Sequence, residues 1–309
     1  FSYKDLGIAS VQDALVDSQG QFWMLADAAI LLFRGGTFQK VEDAVGIPVQ
    51  PGMKMTTTPG REGVLAFAGP EGLYIYNAGG NAARIPADLG AVNDTVASIR
   101  GDLWVAGEKG LFVWNRGSQE LQRIENVKGP VTALAWSETQ GLAAGTSHAL
   151  YRYDGTAWRH TFIPGLIDAA VTALAFGGDG RLWIGNPECV NIQNPDQTFE
   201  RIDGLKGLPY NRITCMASSE DSIWIGTEKG AIRRRDGQWN YYYGPRWHPG
   251  EAVRAIASDG KNVTWLATDQ GLSQLTFEEW TLSRKAAHYE SLTRPRHDRH
   301  GLVADCGLR

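Results

Sequence analysis

No apolar run in this 309-residue chain approaches the roughly 18 residues that a membrane-spanning helix needs, so no segment reads as a span. Cysteine is scarce: Cys189, Cys215 and Cys306 are too few for a disulfide framework, and the first two are expected as buried free thiols. Charge of one sign is not in large excess. Thirty Lys and Arg stand against 34 Asp and Glu, a net −4 that argues against a broad nucleic-acid surface. Nucleophile-elbow, phosphate-loop and zincin motifs are absent, so no signature of catalysis stands out and no cofactor or metal is expected. Neither an initiator Met nor a charged-then-apolar leader opens the chain at Phe1-Ser-Tyr-Lys, which is therefore expected to be processed or excised from something longer.

Glycine and tryptophan are plentiful, at 37 and 11 residues, and suit tight turns and strands packed face to face. One short pattern recurs seven times, centred on Trp23, Ala66, Trp104, Ala143, Trp183, Trp224 and Trp265, at intervals of about 40 residues. Strand-like units at that period signal propeller blades. The clearest blade runs from Asn211 to Tyr243. Arg212–Ser218 reads as an inner strand, Ile223–Thr227 as a second strand apolar on both faces, and Ala231–Arg235 as a third. The Asp236-Gly turn and Gln238–Tyr242 complete it as an outer strand. The fourth and fifth units replace the usual glycine turn with Ser147-His-Ala and Pro187-Glu-Cys, which makes His148 and Glu188 minor candidates for function.

The pattern predicts an all-β, seven-bladed β-propeller of four-stranded blades over residues 1–277, with a helical tail or linker over 278–309 leading to another domain. The seventh unit lacks a clear outer strand. Phe1–Leu6 is expected to supply it and cover the open edge, with Phe277–Trp280 as the competitor. The tail reads as a helix from Glu278 to Leu292, stopped by Pro295. His297, His300, Asp305 and Cys306 match no established metal site.

Gly207-Leu-Pro-Tyr-Asn-Arg-Ile-Thr, Ser222-Ile-Trp-Ile-Gly-Thr-Glu-Lys-Gly and Asp102-Leu-Trp-Val-Ala-Gly-Glu-Lys-Gly-Leu-Phe-Val-Trp resemble the repeat of the two-component-regulator propeller family. The resemblance runs from about Val11 to Leu275. It implies a propeller like those of extracytoplasmic sensing portions of bacterial hybrid kinases, where glycan fragments are common ligands, and hence a periplasmic or secreted location. The chain departs from that sensor pattern in carrying neither a span nor a kinase portion.

Loops leading into inner strands are the place to seek a site. Three are conspicuous: Gly207–Arg212, Gly244–Glu251 and Gly165–Ala170. If successive blades are neighbours, Tyr210, Asn211, Arg212, Arg246, Trp247, His248 and Arg254 converge near one mouth. Arg binds carboxylates through paired hydrogen bonds, Trp stacks on sugars, and His or Tyr moves protons. The set fits recognition of a glycan or protein partner on one rim. The alternative is a carbohydrate-active enzyme such as a polysaccharide lyase acting on acidic glycans. Plain loop packing weighs against both.

Overall fold

Each copy of the repeated pattern is the second strand of an antiparallel meander, because its residues are apolar on both faces and are covered by a blade on each side. The computed structural model describes residues 1–41, 46–58, 64–77, 82–161, 170–219, 221–278 and 281–299, with side chains through 291. Blade 1 comprises β1 (Val11–Val16), β2 (Phe22–Ala26), β3 (Ile30–Arg34) and β4 (Thr37–Lys40); blade 2 comprises β5 (Lys54–Thr57), β6 (Val64–Gly69), β7 (Gly72–Asn77) and β8 (Ala83–Pro86). Blade 3 holds β9 (Val92–Ala97), β10 (Leu103–Gly107), β11 (Gly110–Asn115) and β12 (Glu120–Arg123). Blade 4 holds β13 (Val131–Ser137), β14 (Gly141–Thr146), β15 (Leu150–Tyr153) and β16 (Trp158–Thr161). Blade 5 holds β17 (Ala173–Phe176), β18 (Leu182–Gly185), β19 (Val190–Gln193) and β20 (Phe199–Ile202). Blade 6 holds β21 (Ile213–Ser218), β22 (Ser222–Thr227), β23 (Gly230–Arg235) and β24 (Gln238–Tyr242), and blade 7 holds β25 (Val253–Ser258), β26 (Val263–Thr268) and β27 (Leu272–Thr276). Strand order within every sheet follows the chain. The inner strands neighbour one another in turn, and β25 returns to β1, so the seven sheets close into a propeller.

Tryptophan packs one blade on the next. Trp23 meets Tyr76 of blade 2, Trp104 meets Tyr153 and Trp158 of blade 4, and Trp183 meets Trp239 of blade 6. Trp265 meets Phe22, Phe33 and Phe38 of blade 1. The glycine ending several second strands serves the same approach. A Cβ on Gly145 would lie 2.4 Å from Val171, and one on Gly185 would lie 2.7 Å from Ile213, each at the start of the following blade.

Several inner strands begin with a bulge. Register shifts fall between Val11 and Asp13, Val131 and Ala133, Ile213 and Cys215, and Val253 and Ala255. The extra residue turns its side chain to the next blade. Thr132 Oγ1 donates to Val171 O at 2.6 Å and Thr214 Oγ1 to Val253 O at 2.6 Å. Arg254 occupies this position in blade 7.

At the chain's start, Leu272 N donates to Phe1 O and Phe1 N to Leu272 O, both at 2.8 Å, while Ser2 bridges Gly271. The pairing stops there. The strand expected over Phe1–Leu6 gives way at Tyr3 to a helical turn, α1 (Tyr3–Leu6), because Ser2 Oγ accepts from Asp5 N and Gly7 closes the turn at φ 65°. Tyr3 is buried and donates to Thr268 O at 2.5 Å. The rival outer strand lies partly outside the described residues, at Glu279 and Trp280.

Residues 276–309 form a separate unit carrying α2 (Leu282–Arg299). The helix differs from expectation at both ends. Thr281 caps it, accepting from Arg284 N through Oγ1 and from Lys285 N through its carbonyl, so it starts after Glu278. Its backbone also continues past Pro295, which removes one N–H from a run of 18 residues.

Candidate functional site

The inner strands surround a channel of two connected chemistries. One section, about 460 Å³, is lined by Asp13, Thr57, Asp94, Trp136, Phe176 and Ser218 among others. The other, about 130 Å³, lies where the strands begin and includes Lys54, Asn93, Thr132, Thr172, Cys215 and Arg254. Asp13 accepts from Met55 N at 2.8 Å and Asp94 from Leu134 N at 2.7 Å, so each carboxylate ties its strand to the following blade. Enclosure raises both carboxyls, that of Asp94 to about 6, and the Lys54 ammonium opposes the shift. Burial likewise pushes the Cys215 thiol up to about 11. Cys189 and Cys215 are free thiols, and Cys306 lies outside the described residues. Asp13, Asp94 and Lys54 were not among the residues singled out from sequence. The signal was present in the parallel runs Val11-Gln-Asp-Ala and Val92-Asn-Asp-Thr, which put Asp at the same place in two repeats.

The seven residues predicted to converge share the rim where inner strands begin, but they divide into three groups. Exposed Arg212, held at φ 58°, pairs with Glu228 at 2.7 Å, beside exposed Asn211. Tyr210 is half-buried against the core between blades 5 and 6. Arg246 lies over the Trp247 ring at 5.1 Å, and that ring meets Tyr242 edge-on at 5.0 Å. His248 is 2% exposed, with Nδ1 against Gly250 O and Nε2 3.1 Å from Tyr242 O, so its ring fastens the loop to β24. Arg254 lines the channel apart from both groups.

Two tyrosines complete the rim surface of blade 6. Tyr241 and Tyr243 are exposed and stack in parallel, 5.8 Å apart with planes at 6°. Tyr241 donates to Lys229 O, and Tyr243 to Glu251 Oε1 at 3.3 Å. Burial first, and then Tyr243, Tyr210 and Glu251, raise the Tyr241 phenol, which keeps it a donor. Alternation along Gln238-Trp-Asn-Tyr-Tyr-Tyr places Trp239, Tyr241 and Tyr243 on one strand face, the cue that the sequence offered for this surface.

The atypical turns are accounted for by capping. Thr146 Oγ1 accepts from Ala149 N at 2.9 Å, and Asn186 Oδ1 from Glu188 N and Cys189 N at 2.8 Å. Thr227 Oγ1 does the same work at Lys229 N in the glycine-containing turn of blade 6. Glu188 faces Arg201 at 3.8 Å. The loop at Gly165, apart from Ala170, and the tail residues His300 and Asp305 lie outside the described residues, as does the side chain of His297. Among the described residues no group of three or more His, Cys, Asp or Glu is placed to hold a metal, and no helix is long and apolar enough to cross a membrane.

No protein-family model and no curated protein sequence matches the chain. Solved structures do match in fold. Virginiamycin B lyase from Staphylococcus aureus, crystallised as an inactive variant with quinupristin, is 15% identical with TM-score 0.72 over 87% of this chain and 95% of its own. The extracellular domain assigned to a hybrid two-component system of B. thetaiotaomicron is 16% identical with TM-score 0.73, over 88% of this chain and 39% of its own. YCF48 bound to D1 peptide is 15% identical with TM-score 0.67, over 88% and 93%. At these identities the likeness is one of fold.

Proposed function

We propose that this propeller is a non-catalytic recognition module that binds a glycan or protein partner on the rim where its inner strands begin. The exposed parallel pair Tyr241 and Tyr243 carries the reading, since two flat rings with donors already fixed offer contact area at little entropic cost. Arg246 on Trp247 adds a cation beside an aromatic face. The solved propellers with quinupristin and with D1 peptide agree with a recognition role, and the extracellular domains agree with an extracytoplasmic location. The tail over 278–309 would then connect the propeller to a neighbouring domain.

Lyase chemistry on acidic glycans is the weaker reading. His248, its principal proton carrier, is buried with both ring nitrogens on backbone carbonyls. A shared fold with a lyase carries no mechanism across.

Binding is tested on a mixed glycan and peptide array with the wild type and a Tyr241→Ala/Tyr243→Ala/Arg246→Ala variant. The variant is expected to lose at least about tenfold in affinity for whatever the wild type retains, as aromatic and Arg hot spots do. Unchanged binding in the variant, or an array without any signal, would overturn the rim assignment. Ultraviolet absorbance from an unsaturated product on uronic-acid polymers would overturn the non-catalytic reading.

A further inference from the structure

The turn between first and second strands is built alike in blades 1 and 5. Asp17 N donates to Gln21 O and Gly20 N to Asp17 O; Gly177 N donates to Arg181 O and Gly180 N to Gly177 O, all within 2.9–3.0 Å. Gly20 and Gly180 both have φ 76°. The tryptophan two residues past each turn, Trp23 or Trp183, is buried. In blade 1 the Asp17 carboxylate takes the Trp23 indole N–H at 2.8 Å. In blade 5 the residue at that place is Gly177, which has no side chain to offer. Trp183 Nε1 is buried without a hydrogen-bond partner, and an ideal Cβ on Gly177 would lie 3.4 Å from it and 2.7 Å from Asp179 Oδ1, so the Asp179 carboxylate stands beside that place without reaching the indole.

A second donor is nearby. The Arg234 guanidinium lies 5.2 Å from the Trp183 ring centroid and 5.0 Å from that of Trp239, with Nη1 also buried and without a partner. No carboxylate lies within ion-pair distance of Arg234 among the described residues. Asp179 pairs with Arg181 at 2.6 Å, and Asp221 with Arg235 at 2.7 Å. Gly177, Asp179, Arg181, Trp183, Asp221 and Arg234 line a cavity of about 300 Å³ between blades 5 and 6, on the rim where inner strands end. Buried donors left unpaired are costly, and a single carboxylate entering this cavity would satisfy both.

We infer that this cavity binds a uronic acid, a sugar-sized carboxylate whose anionic group occupies at Trp183 and Arg234 the place that Asp17 fills at Trp23. Arg and an indole N–H suit a carboxylate, Trp183 gives an apolar wall, and the Asp221 and Asp236 carboxylates accept from hydroxyls. Entry moves the Asp179–Arg181 pair, a half-exposed contact that resists little. The site lies on the opposite rim from Tyr241 and Tyr243 and stands independently of their role.

The test is a titration of the full chain with sodium glucuronate, glucose and inorganic phosphate, following the Trp183 indole N–H resonance, assigned through Trp183→Phe. Glucuronate is expected to move it saturably and glucose to leave it unchanged. Gly177→Asp supplies the carboxylate from within and displaces Asp179, so it is expected to abolish the response. Arg234→Met keeps a stem between the two rings and is expected to lose at least about tenfold in affinity, the worth of one charge-assisted hydrogen bond. It decides the matter should Gly177→Asp fail to fold. No saturable shift with glucuronate, or unchanged affinity in Arg234→Met, overturns the site. Phosphate binding as tight as glucuronate overturns the sugar-acid assignment. The Tyr241→Ala/Tyr243→Ala/Arg246→Ala variant is expected to titrate as the wild type does, which separates this site from the rim.

Discussion

Trp104 joins blade 3 to blade 4 through two rings of its neighbour, Tyr153 at 5.8 Å and Trp158 at 6.1 Å. Truncation to Ala leaves a void that a rigid sheet cannot close, so Trp104→Ala is expected to cost about 3–5 kcal/mol in urea unfolding, and Trp104→Phe clearly less. Asp94 offers a pH readout at the same scale. Its carboxyl rises from 3.8 to about 6 on folding, so the native state binds more protons than the unfolded chain in that interval. The stability that it contributes is fully present below 3.8 and disappears as pH rises through about 6. Asp154, held low by the Thr156 hydroxyl and backbone N–H groups, has the opposite sign, so the whole-protein profile mixes the two. The difference between wild type and Asp94→Asn, measured by urea unfolding from pH 4 to 7, isolates the channel residue. The wild type is expected to lose stability relative to the variant as pH rises, and a flat difference would refute the shift. The two described thiols are expected to react slowly for a related reason. Cys189 is buried and the Cys215 thiol is raised to about 11, so alkylation at pH 8 is expected to spare both until the protein unfolds, as mass spectrometry would show.

Among the elements, the bulged inner strand links the repeat to the ring. The hydroxyl that Thr214 sends to Val253 O is a bond between blades, and Thr214→Val keeps the shape while removing it. The expected loss is about 1 kcal/mol in urea unfolding, with Thr214→Ser close to the wild type. Strand identity and turn placement were legible because period and turn chemistry are local: Trp224 and Asp236-Gly mark blade 6 from sequence alone. The bulge was not, because Ile213-Thr reads the same in a regular strand, and register belongs to the pairing with β22. Ser2 and Gly7 carry helical local signals, and their capping geometry outweighs the strand character of Phe1-Ser-Tyr. At the candidate site Arg246 lies over Trp247, as neighbours in a loop stay neighbours. The sequence did not reveal that His248 is buried, because burial depends on how the Pro245–Pro249 loop folds against Tyr242. Gly177 carries meaning only beside Asp17, whose turn makes the same two backbone hydrogen bonds, and that likeness is absent from the local sequence.

In the whole molecule, closure decides how the propeller unfolds. Each blade packs on its two neighbours, so stability resembles a sum of blade terms and interface terms, as in a solenoid whose ends have been joined. A joined array has no weak terminal repeat from which to fray. The seam between blades 7 and 1 is held partly by the chain's start. Phe1 packs on Phe33 and Phe38 of blade 1 and on Trp265 of blade 7, and its backbone pairs with Leu272. Tyr3 is buried in the same cluster. Removing residues 1–7 therefore exposes the start of β27 at Leu272 and leaves blades 7 and 1 each with a weakened face. The intact chain is expected to unfold in urea in one transition, with tryptophan fluorescence and far-ultraviolet circular dichroism coinciding. The chain lacking residues 1–7 is expected to unfold at lower urea with a smaller slope and separated probes, because the terminal blades open before the rest. Size-exclusion chromatography should also show it pairing through the open edge. Coincident transitions at an unchanged midpoint would mean that the aromatic contacts of Trp265 with Phe22, Phe33 and Phe38 hold the seam without the chain's start.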